Sequence, residues 1–250
     1  MTGMFLWKSP ETGRRGKTVT LTERSVLHMR FLCAEVVRGP KTPEAVARRR
    51  AAAAAKRLHK AGVVRAVLPE AFHYGTQLEK FGIRPVDTLS MRRRLAAELV
   101  RAEGVRLGLA PGSAKVAVSS DQLTGELVRT VTELALSHRY VLLDLPYGGE
   151  DLCRQLRREY GVSLLLGPSK EQLEGAEVLV LFQDRQDLSR KNPAVLPLYE
   201  GGDMELAPLV LPPALEERLI PGLDRPQLLS ALQEAGAIRP GQITLGAPGA

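Results

Sequence analysis

The alternation of hydrophobic and polar positions is clearest in the C-terminal half of the chain. Short apolar runs predict strands at 115–118, 140–145, 162–166 and 176–182. Positions 121–136 and 151–160 lie between these runs and repeat apolar residues at helical spacing. Strands that alternate with helices in this way predict a parallel sheet buried on both faces. The expected fold class is therefore α/β, with a doubly wound parallel sheet in this half.

Several element boundaries in this half also carry local signals. Ser169 and Gln172 have the spacing of a capping box and predict a short helix there. The pattern loosens after Phe182, although 195–199 and 206–211 could extend the sheet. The first helix should turn four apolar side chains towards the sheet, namely Leu123, Leu127, Val131 and Leu134. A last helix is expected at 226–235, with Asp224 as its cap and Gly236 as its stop.

The N-terminal half has a weaker pattern that indicates a smaller α/β portion. Residues 8–17 are polar and rich in turn formers, so the ordered core is expected to begin near Thr18. Strands are predicted at 18–22, 28–37 and 63–68, with helices at 43–61 and 86–102. Thr42 and Pro43 suit the start of the first helix, which should bury a stripe of alanines. The strand, helix and strand over residues 29–68 predict a parallel crossover.

Turn-forming residues at 107–113 mark the best candidate for a domain boundary. Beyond this segment the period of the apolar positions changes cleanly. We therefore expect an N-terminal α/β portion over residues 1–108 and a second domain over residues 109–250.

Composition and charge indicate which classes of binding partner the sequence favours. The net charge is +7, but the basic residues are spread along the chain, and aromatic residues make up 4% of it. The triplets Arg48–Arg50 and Arg92–Arg94 fall in helical patterns opposite apolar positions, and we interpret them as solvated helix faces. The sequence therefore gives no specific signal for nucleic acid, and the oligomeric state stays open.

The sequence predicts neither a metal site nor a membrane span. Cys33, Cys153 and the histidines lack the mutual spacing of metal ligands, so we expect buried thiols in a reducing compartment. No uncharged apolar run approaches the roughly 20 residues of a transmembrane helix. Lys8 also interrupts the only short apolar patch near the N-terminus, so we expect a cytoplasmic protein.

The segment from Val116 to Gly125 occupies the place of a dinucleotide-binding turn, because an apolar strand leads through a short loop into a helix. With Gly125 set at the third glycine of G-x-G-x-x-G, Ser120 and Gln122 stand at the first two glycine positions. Over residues 115–182 the chain resembles NAD(P)-binding Rossmann domains, particularly the C-terminal domains of shikimate-dehydrogenase-like proteins. The wider pattern is also similar to that of uncharacterised bacterial proteins.

This resemblance implies NAD or NADP as the cofactor and assigns roles to particular residues. Asp144 stands where the family carries the acid that binds an adenosine ribose. Gly125 matches the glycine that allows close packing of the helix on the strand. The loop departs from the family at Gln122, whose side chain would obstruct a pyrophosphate, and at Asp121, whose charge would repel one. These departures disfavour a dinucleotide bound in the usual geometry.

Open α/β sheets bind ligands where their parallel strands end, so this rim is the expected binding site. The candidate binding residues are Ser119, Ser120, Gly125, Asp144, Gly148 and Gly149, with Tyr147 and Gln183 as neighbours. In the N-terminal half, Glu70, His73 and Tyr74 are candidates for proton transfer.

Three functions remain open from the sequence. The first is a Rossmann-like protein that binds a small molecule or a partner at the rim of its sheet. The second is an NAD(P)-dependent oxidoreductase, and the third is a non-catalytic scaffold for protein interactions.

Overall fold

The protein is described by a computed structural model that covers residues 1–10, 18–204 and 206–246. Its strands are β1 (Thr2–Lys8), β2 (Val19–Val26), β3 (Met29–Val37), β4 (Arg65–Val67), β5 (Arg84–Pro85), β6 (Lys115–Ser119), β7 (Tyr140–Asp144), β8 (Leu165–Leu166), β9 (Val178–Leu181), β10 (Ala194–Pro197), β11 (Leu209–Val210) and β12 (Thr244–Leu245). Its α-helices are α1 (Glu44–Lys60), α2 (Gly75–Glu79), α3 (Leu89–Arg94), α4 (Ala96–Arg106), α5 (Gly125–Ser137), α6 (Gly149–Tyr160), α7 (Lys170–Glu174), α8 (Pro213–Glu216) and α9 (Arg225–Glu234).

The chain divides into two compact units, each built around its own sheet. The first unit comprises Met1–Thr88 and the returning segment Leu211–Ile243. The second comprises Leu89–Val210 and, at the C-terminal end of the described residues, 244–246. The helices at 89–106 thus belong to the second unit. The domain boundary at residue 108 stays a prediction, because compactness alone does not show which segments fold independently.

The sheet of the first unit is mixed, with the order β2-β3-β1-β4-β5. β2 runs antiparallel to β3, and the other neighbours are parallel. The prediction that the ordered core begins near Thr18 is wrong, because β1 is the central strand of this sheet. Met4 and Phe5 are fully buried there, and β1 pairs with β3 on one side and β4 on the other. A four-residue apolar patch suffices for a strand when both of its neighbours come from elsewhere in the chain.

The predicted crossover from β3 through α1 to β4 is confirmed. α1 buries Ala47, Ala51, Ala54 and Leu58, and these small side chains allow the helix to lie close to the sheet. Thr42 does not cap this helix as predicted. Its Oγ1 accepts instead from the Gly39 backbone N–H at 2.9 Å, within the loop before the helix.

The sheet of the second unit has the order β10-β9-β6-β7-β8, and every neighbouring pair is parallel. This confirms the predicted Rossmann-like α/β fold, since the strands taken in chain order from β6 give the order 3-2-1-4-5. β10 extends the sheet as expected. β11 does not, because it pairs with β12 in a separate two-stranded ribbon.

Local hydrogen bonds decide where several helices of this unit begin. α5 starts at Gly125 and not at residue 121, because Thr124 caps it through Leu127 N at 3.2 Å. Leu123 is consequently 45% exposed in the preceding loop, and its predicted inward position is wrong. The helix expected over 86–102 is interrupted at Leu95 and forms α3 and α4. The capping box of Ser169 and Gln172 is present at α7 as predicted.

Candidate functional site

The candidate site lies at the carboxyl edge of the second unit's sheet. From β6 the chain continues to β7 on one side, whereas β9 pairs with β6 on the other side. The strand order therefore reverses between β6 and β9, and such a reversal leaves a crevice beyond the strand ends. Ser119 is the last residue of β6, and Asp144 is the last residue of β7.

A hydrogen-bonded cluster joins the loops at this point. The buried Ser119 hydroxyl donates to Asp144 Oδ2 at 2.8 Å. The Arg185 guanidinium, which follows β9, donates to Ser119 Oγ at 2.9 Å and forms an ion pair with Asp144. About a quarter of each charged side chain is exposed, 23% for Arg185 and 26% for Asp144. Arg185 thus reaches across the end of β6 and pairs with Asp144. The family resemblance implies that this same carboxylate binds a ribose.

Arg185 is also fixed from its other side. Its Nε and Nη2 donate to the two carboxylate oxygens of Asp187, at 2.7 and 2.9 Å. This two-point pairing holds the pKa of Asp187 at about 2, and pairing with Asp187 and Asp144 raises the pKa of Arg185. The guanidinium therefore stays charged and has a defined orientation at the rim.

A second arginine holds the same loop in place. Arg190 adopts a positive φ of 51°, pairs with Asp184 and donates to the Tyr199 hydroxyl at 2.9 Å. Hydrogen bonding to Arg190 lowers the pKa of Asp184. The residue also donates to the Arg185 carbonyl at 3.3 Å. The left-handed backbone of Arg190 is stabilised by these three partners, and the loop presents Arg185 as a result.

The loop after β6 is closed by its own hydrogen bonds. Ser120 is buried, its hydroxyl donates to the Gln122 carbonyl at 2.9 Å, and its backbone N–H donates to the Asp144 carbonyl at 3.0 Å. A Cβ added at Gly125 would meet nothing within 4 Å, so the expectation that this glycine allows close packing is wrong. Gly125 is the first residue of α5 and is exposed there.

The close approaches occur instead in the loop after β7. Gly148 has a φ of 79°, and a Cβ there would lie 2.8 Å from Leu123 Cδ2. At Gly149 a Cβ would lie 2.6 Å from Leu166 Cδ1. Both glycines thus serve packing around the start of α6. The first turn of this helix carries Glu150 and Asp151, which disfavour an anion at its N-terminus.

The structure therefore brings Ser119, Ser120 and Asp144 together, and it places Gly148 and Gly149 in the neighbouring loop. Tyr147 projects from that loop and is 80% exposed, whereas Gln183 is half-buried after β9. Whether these residues bind a cofactor stays a prediction.

Sequence reasoning missed three arginines of this edge, namely Arg93, Arg185 and Arg190. The interpretation of Arg93 as part of a solvated helix face is wrong. Its Nε donates to the Leu198 carbonyl at 2.8 Å and its Nη2 to the Phe182 carbonyl at 3.1 Å. It thereby joins the ends of β9 and β10. A polar residue two to four positions after a buried strand is a signal that could have selected Arg185.

The candidates for proton transfer lie between β4 and α2 in the first unit. Glu70 and His73 are exposed, whereas Tyr74 is only 3% exposed. The Tyr74 hydroxyl donates to Glu44 Oε2 at 2.9 Å, and burial together with this hydrogen bond raises the pKa of Tyr74. Tyr74 is thus held between Glu44 of α1 and the rings of Trp7 and Phe72, and its role in proton transfer stays a prediction.

A cavity of about 490 Å³ lies elsewhere in the second unit, beside the edge strand β10. Most of its described lining residues are apolar, and the two charged ones, Glu103 and Arg106, pair with each other on α4 at 2.7 Å. Because no other charged side chain among the described residues lines it, the rim between β6, β7 and β9 is the better candidate.

Two features are absent from the described residues, namely a cluster of metal-ligating side chains and a helix suited to a bilayer. No group of three or more His, Cys, Asp and Glu side chains in that part of the chain could hold a metal ion. Among the same residues, no helix has the length and apolar character needed to cross a bilayer.

Comparisons with known proteins give distant structural likeness alone. No family model matches the chain, and no curated protein matches it. Solved structures that resemble it include an L-tryptophan dehydrogenase from Nostoc punctiforme, with 10% identity and a TM-score of 0.32 over 66% of this chain and 50% of the other. A D-lactate dehydrogenase with NAD+ from Lactobacillus jensenii has 12% identity and a TM-score of 0.29, over 62% and 56%.

The third such structure is the hetero-hexameric glutamate dehydrogenase of Thermus thermophilus in its leucine-bound form. It has 15% identity and a TM-score of 0.26, over 66% of this chain and 50% of the other. The chain thus spans about half the length of the structures it matches. At this level of similarity the likenesses establish neither the fold nor the function of this chain.

Proposed function

We propose that the second unit binds a small molecule at the carboxyl edge of its sheet, with Asp144, Ser119 and Arg185 at the centre of the site. The observation that carries this proposal is the partly exposed ion pair of Asp144 and Arg185 at the reversal of strand order. Ligands of open α/β sheets bind beyond the carboxyl ends of the strands. This ion pair offers a ligand a carboxylate and a guanidinium in fixed positions there.

The charges of the rim indicate which ligands fit. Acidic side chains outnumber basic ones at this edge when the end of β7 and the first turns of α5 and α6 are counted with the loops after β6, β7 and β9. The acids are Asp121, Glu126, Asp144, Glu150, Asp151, Asp184 and Asp187, and the bases, with Arg93 of α3 included, are Arg93, Arg185, Arg190 and Lys191. Such a rim repels a pyrophosphate and favours a neutral or cationic molecule with hydroxyl or amine donors. Asp144 Oδ2 is already bonded to Ser119 and Arg185, which leaves Oδ1 as the acceptor for such a donor.

A melting screen of the whole chain tests this proposal. We expect NAD and NADP to leave the melting temperature unchanged in either redox state, and a polyol, sugar or amine from a metabolite panel to raise it. A ligand at 100 times its Kd stabilises by about 2.7 kcal/mol, which is readily detected. The Asp144→Asn variant should lose this response. Glu98→Gln should keep it, because Glu98 lies on α4, where it pairs with Arg101 and 42% of its side chain is exposed. A response that is equal in both variants would remove Asp144 from the site.

An NAD(P)-dependent oxidoreductase is the second candidate, and the position of Asp144 favours it. Asp144 ends the second strand of the 3-2-1-4-5 order, where the ribose-binding acid of a dinucleotide domain would stand. This function requires Arg185 to release Asp144. If the oxidoreductase proposal is correct, Arg185→Met should increase the affinity for NAD. The first proposal expects no NAD binding in this variant either, because Asp121 and Gln122 still disfavour a pyrophosphate.

A chain whose melting temperature responds to no metabolite at all would favour the third function, a non-catalytic scaffold for protein interactions.

A further inference from the structure

A second group of side chains gathers at the carboxyl edge of the first unit's sheet. Three neighbouring parallel strands end there, namely β1, β3 and β4. Trp7 lies near the end of β1, Arg38 follows β3 directly, and Phe72 and Tyr74 follow β4. The Arg38 backbone N–H donates to the Lys8 carbonyl at 2.8 Å, which joins the first two of these ends. Carboxyl ends of parallel strands are the usual place for ligands in open α/β sheets.

Arg38 rests on aromatic faces. Its guanidinium carbon lies 4.9 Å from the centre of the Trp7 ring and 5.7 Å from that of Tyr74. Tyr74 is fixed in turn by its hydrogen bond to Glu44, and its ring meets Trp7 at 72°. Stacking uses the faces of a guanidinium and leaves the N–H donors on its edges for an acceptor.

Within the described residues, no group accepts a hydrogen bond from the Arg38 guanidinium, and no carboxylate forms an ion pair with it. The residue is also only partly buried, as are Trp7 and Phe72, whose rings stack at 6.0 Å with an interplanar angle of 30°. A preoriented cation thus adjoins an accessible apolar surface. The matching ligand has a planar anion that meets the guanidinium and an apolar part that covers the rings.

We propose that this edge is a second ligand site, in which Arg38 pairs with the carboxylate of a small organic acid whose apolar part packs on Trp7 and Phe72. The site is separate in residues and in ligand charge from the proposed rim of the second unit. A carboxylate suits it better than a phosphate, because the fork of a guanidinium pairs with it in one plane while the rings cover the rest of the molecule.

Trp7 is the single tryptophan of the chain and provides the readout. The full-length protein is titrated with cyclohexanecarboxylate at constant ionic strength while tryptophan emission is recorded. We expect a saturable change in emission, with affinity at least about tenfold weaker for the neutral analogue cyclohexylmethanol, since the alcohol lacks the charge-assisted pairing. These two titrations use the natural sequence and do not depend on the folding of any variant.

Variants then assign the effect to Arg38. Arg38→Met should abolish saturation, and Arg38→Lys should weaken it about tenfold, because an ammonium lacks the planar fork. Arg49→Met, on the exposed face of α1, is the matched control and should bind as the natural protein does. Far-UV circular dichroism checks that each variant is folded. The proposal is overturned by an absence of saturation, by equal binding in Arg38→Met, or by saturation with inorganic phosphate and not with the carboxylate.

Discussion

The Arg185 guanidinium reaches across the end of β6 and pairs with the carboxylate of Asp144 at the end of β7. These two residues lie 41 positions apart, and Ser119 contacts both of them. The pair therefore fixes the position of two opposite charges at the edge of the second sheet. It also supports the loop after β9, since Arg185 holds Asp187 at the same time.

We expect Arg185→Met to destabilise the protein by about 1–2 kcal/mol, because Asp144 keeps partial burial and loses its main counter-charge. Urea denaturation measures the change. Arg154→Met is the control, since Arg154 is 74% exposed in its pair with Asp151 and its loss should cost less than about 0.5 kcal/mol. Equal stability of the two variants would mean that the pair with Asp144 contributes nothing measurable.

A pair of glycine substitutions tests the origin of close packing in the second unit. Gly125→Ala should be neutral or stabilise by about 0.5 kcal/mol, because the added methyl group has space at the start of α5 and reduces the freedom of the unfolded chain. Gly112→Ala should cost about 2 kcal/mol or more, because φ is +71° there and the methyl group would lie 2.4 Å from the Ser137 carbonyl oxygen. Thermal melts of both variants check this order, and a destabilised Gly125→Ala would restore a packing role to that glycine.

The turn between β2 and β3 predicts a stabilising substitution. Leu27 and His28 both have a positive φ, 46° and 72°, in a two-residue connection that ordinarily favours asparagine and glycine. His28 is exposed, so His28→Gly should stabilise by about 1 kcal/mol through relief of backbone strain. His59→Gly, in the exposed face of α1, should destabilise by a similar amount. Opposite shifts in melting temperature are expected, and shifts of the same sign would contradict the argument.

Acid sensitivity of the first unit should depend on Glu35. Hydrogen bonding to Arg24, at 2.5 Å, lowers the pKa of this nearly buried carboxyl below its ordinary value of 4.5. A lowered folded-state pKa gives stability that is present above the ordinary value and is lost as the pH falls through the folded value. Glu35→Gln should therefore cost about 1 kcal/mol at neutral pH, and this difference should shrink below pH 4.5.

Denaturant titrations over a pH series measure this dependence. Glu23→Gln is the control, because Glu23 is exposed on the neighbouring strand and should show little difference at any pH. A Glu35→Gln penalty that stays constant down to acid pH would show that the charge of Glu35 is not its source.

Local sequence determined much of the architecture. The alternation of strands and helices over 115–182 predicted the parallel sheet, and the alanine stripe of α1 predicted its buried face. The predicted caps at Ser169 and Asp224 are confirmed, because each side chain accepts a hydrogen bond from the first turn of the helix that it precedes. Interactions of this kind join residues a few positions apart, so a single sequence is enough to predict them.

The tertiary structure decided the rest. β1 becomes a central strand because β3 and β4 supply both of its neighbours, which a four-residue apolar patch cannot reveal. Leu123 is exposed because the loop after β6 closes on itself before α5 begins. Asp144 was found from its place at a strand end, but Arg185, its partner, could not be assigned, because a pairing across 41 positions depends on how the strands order in the sheet.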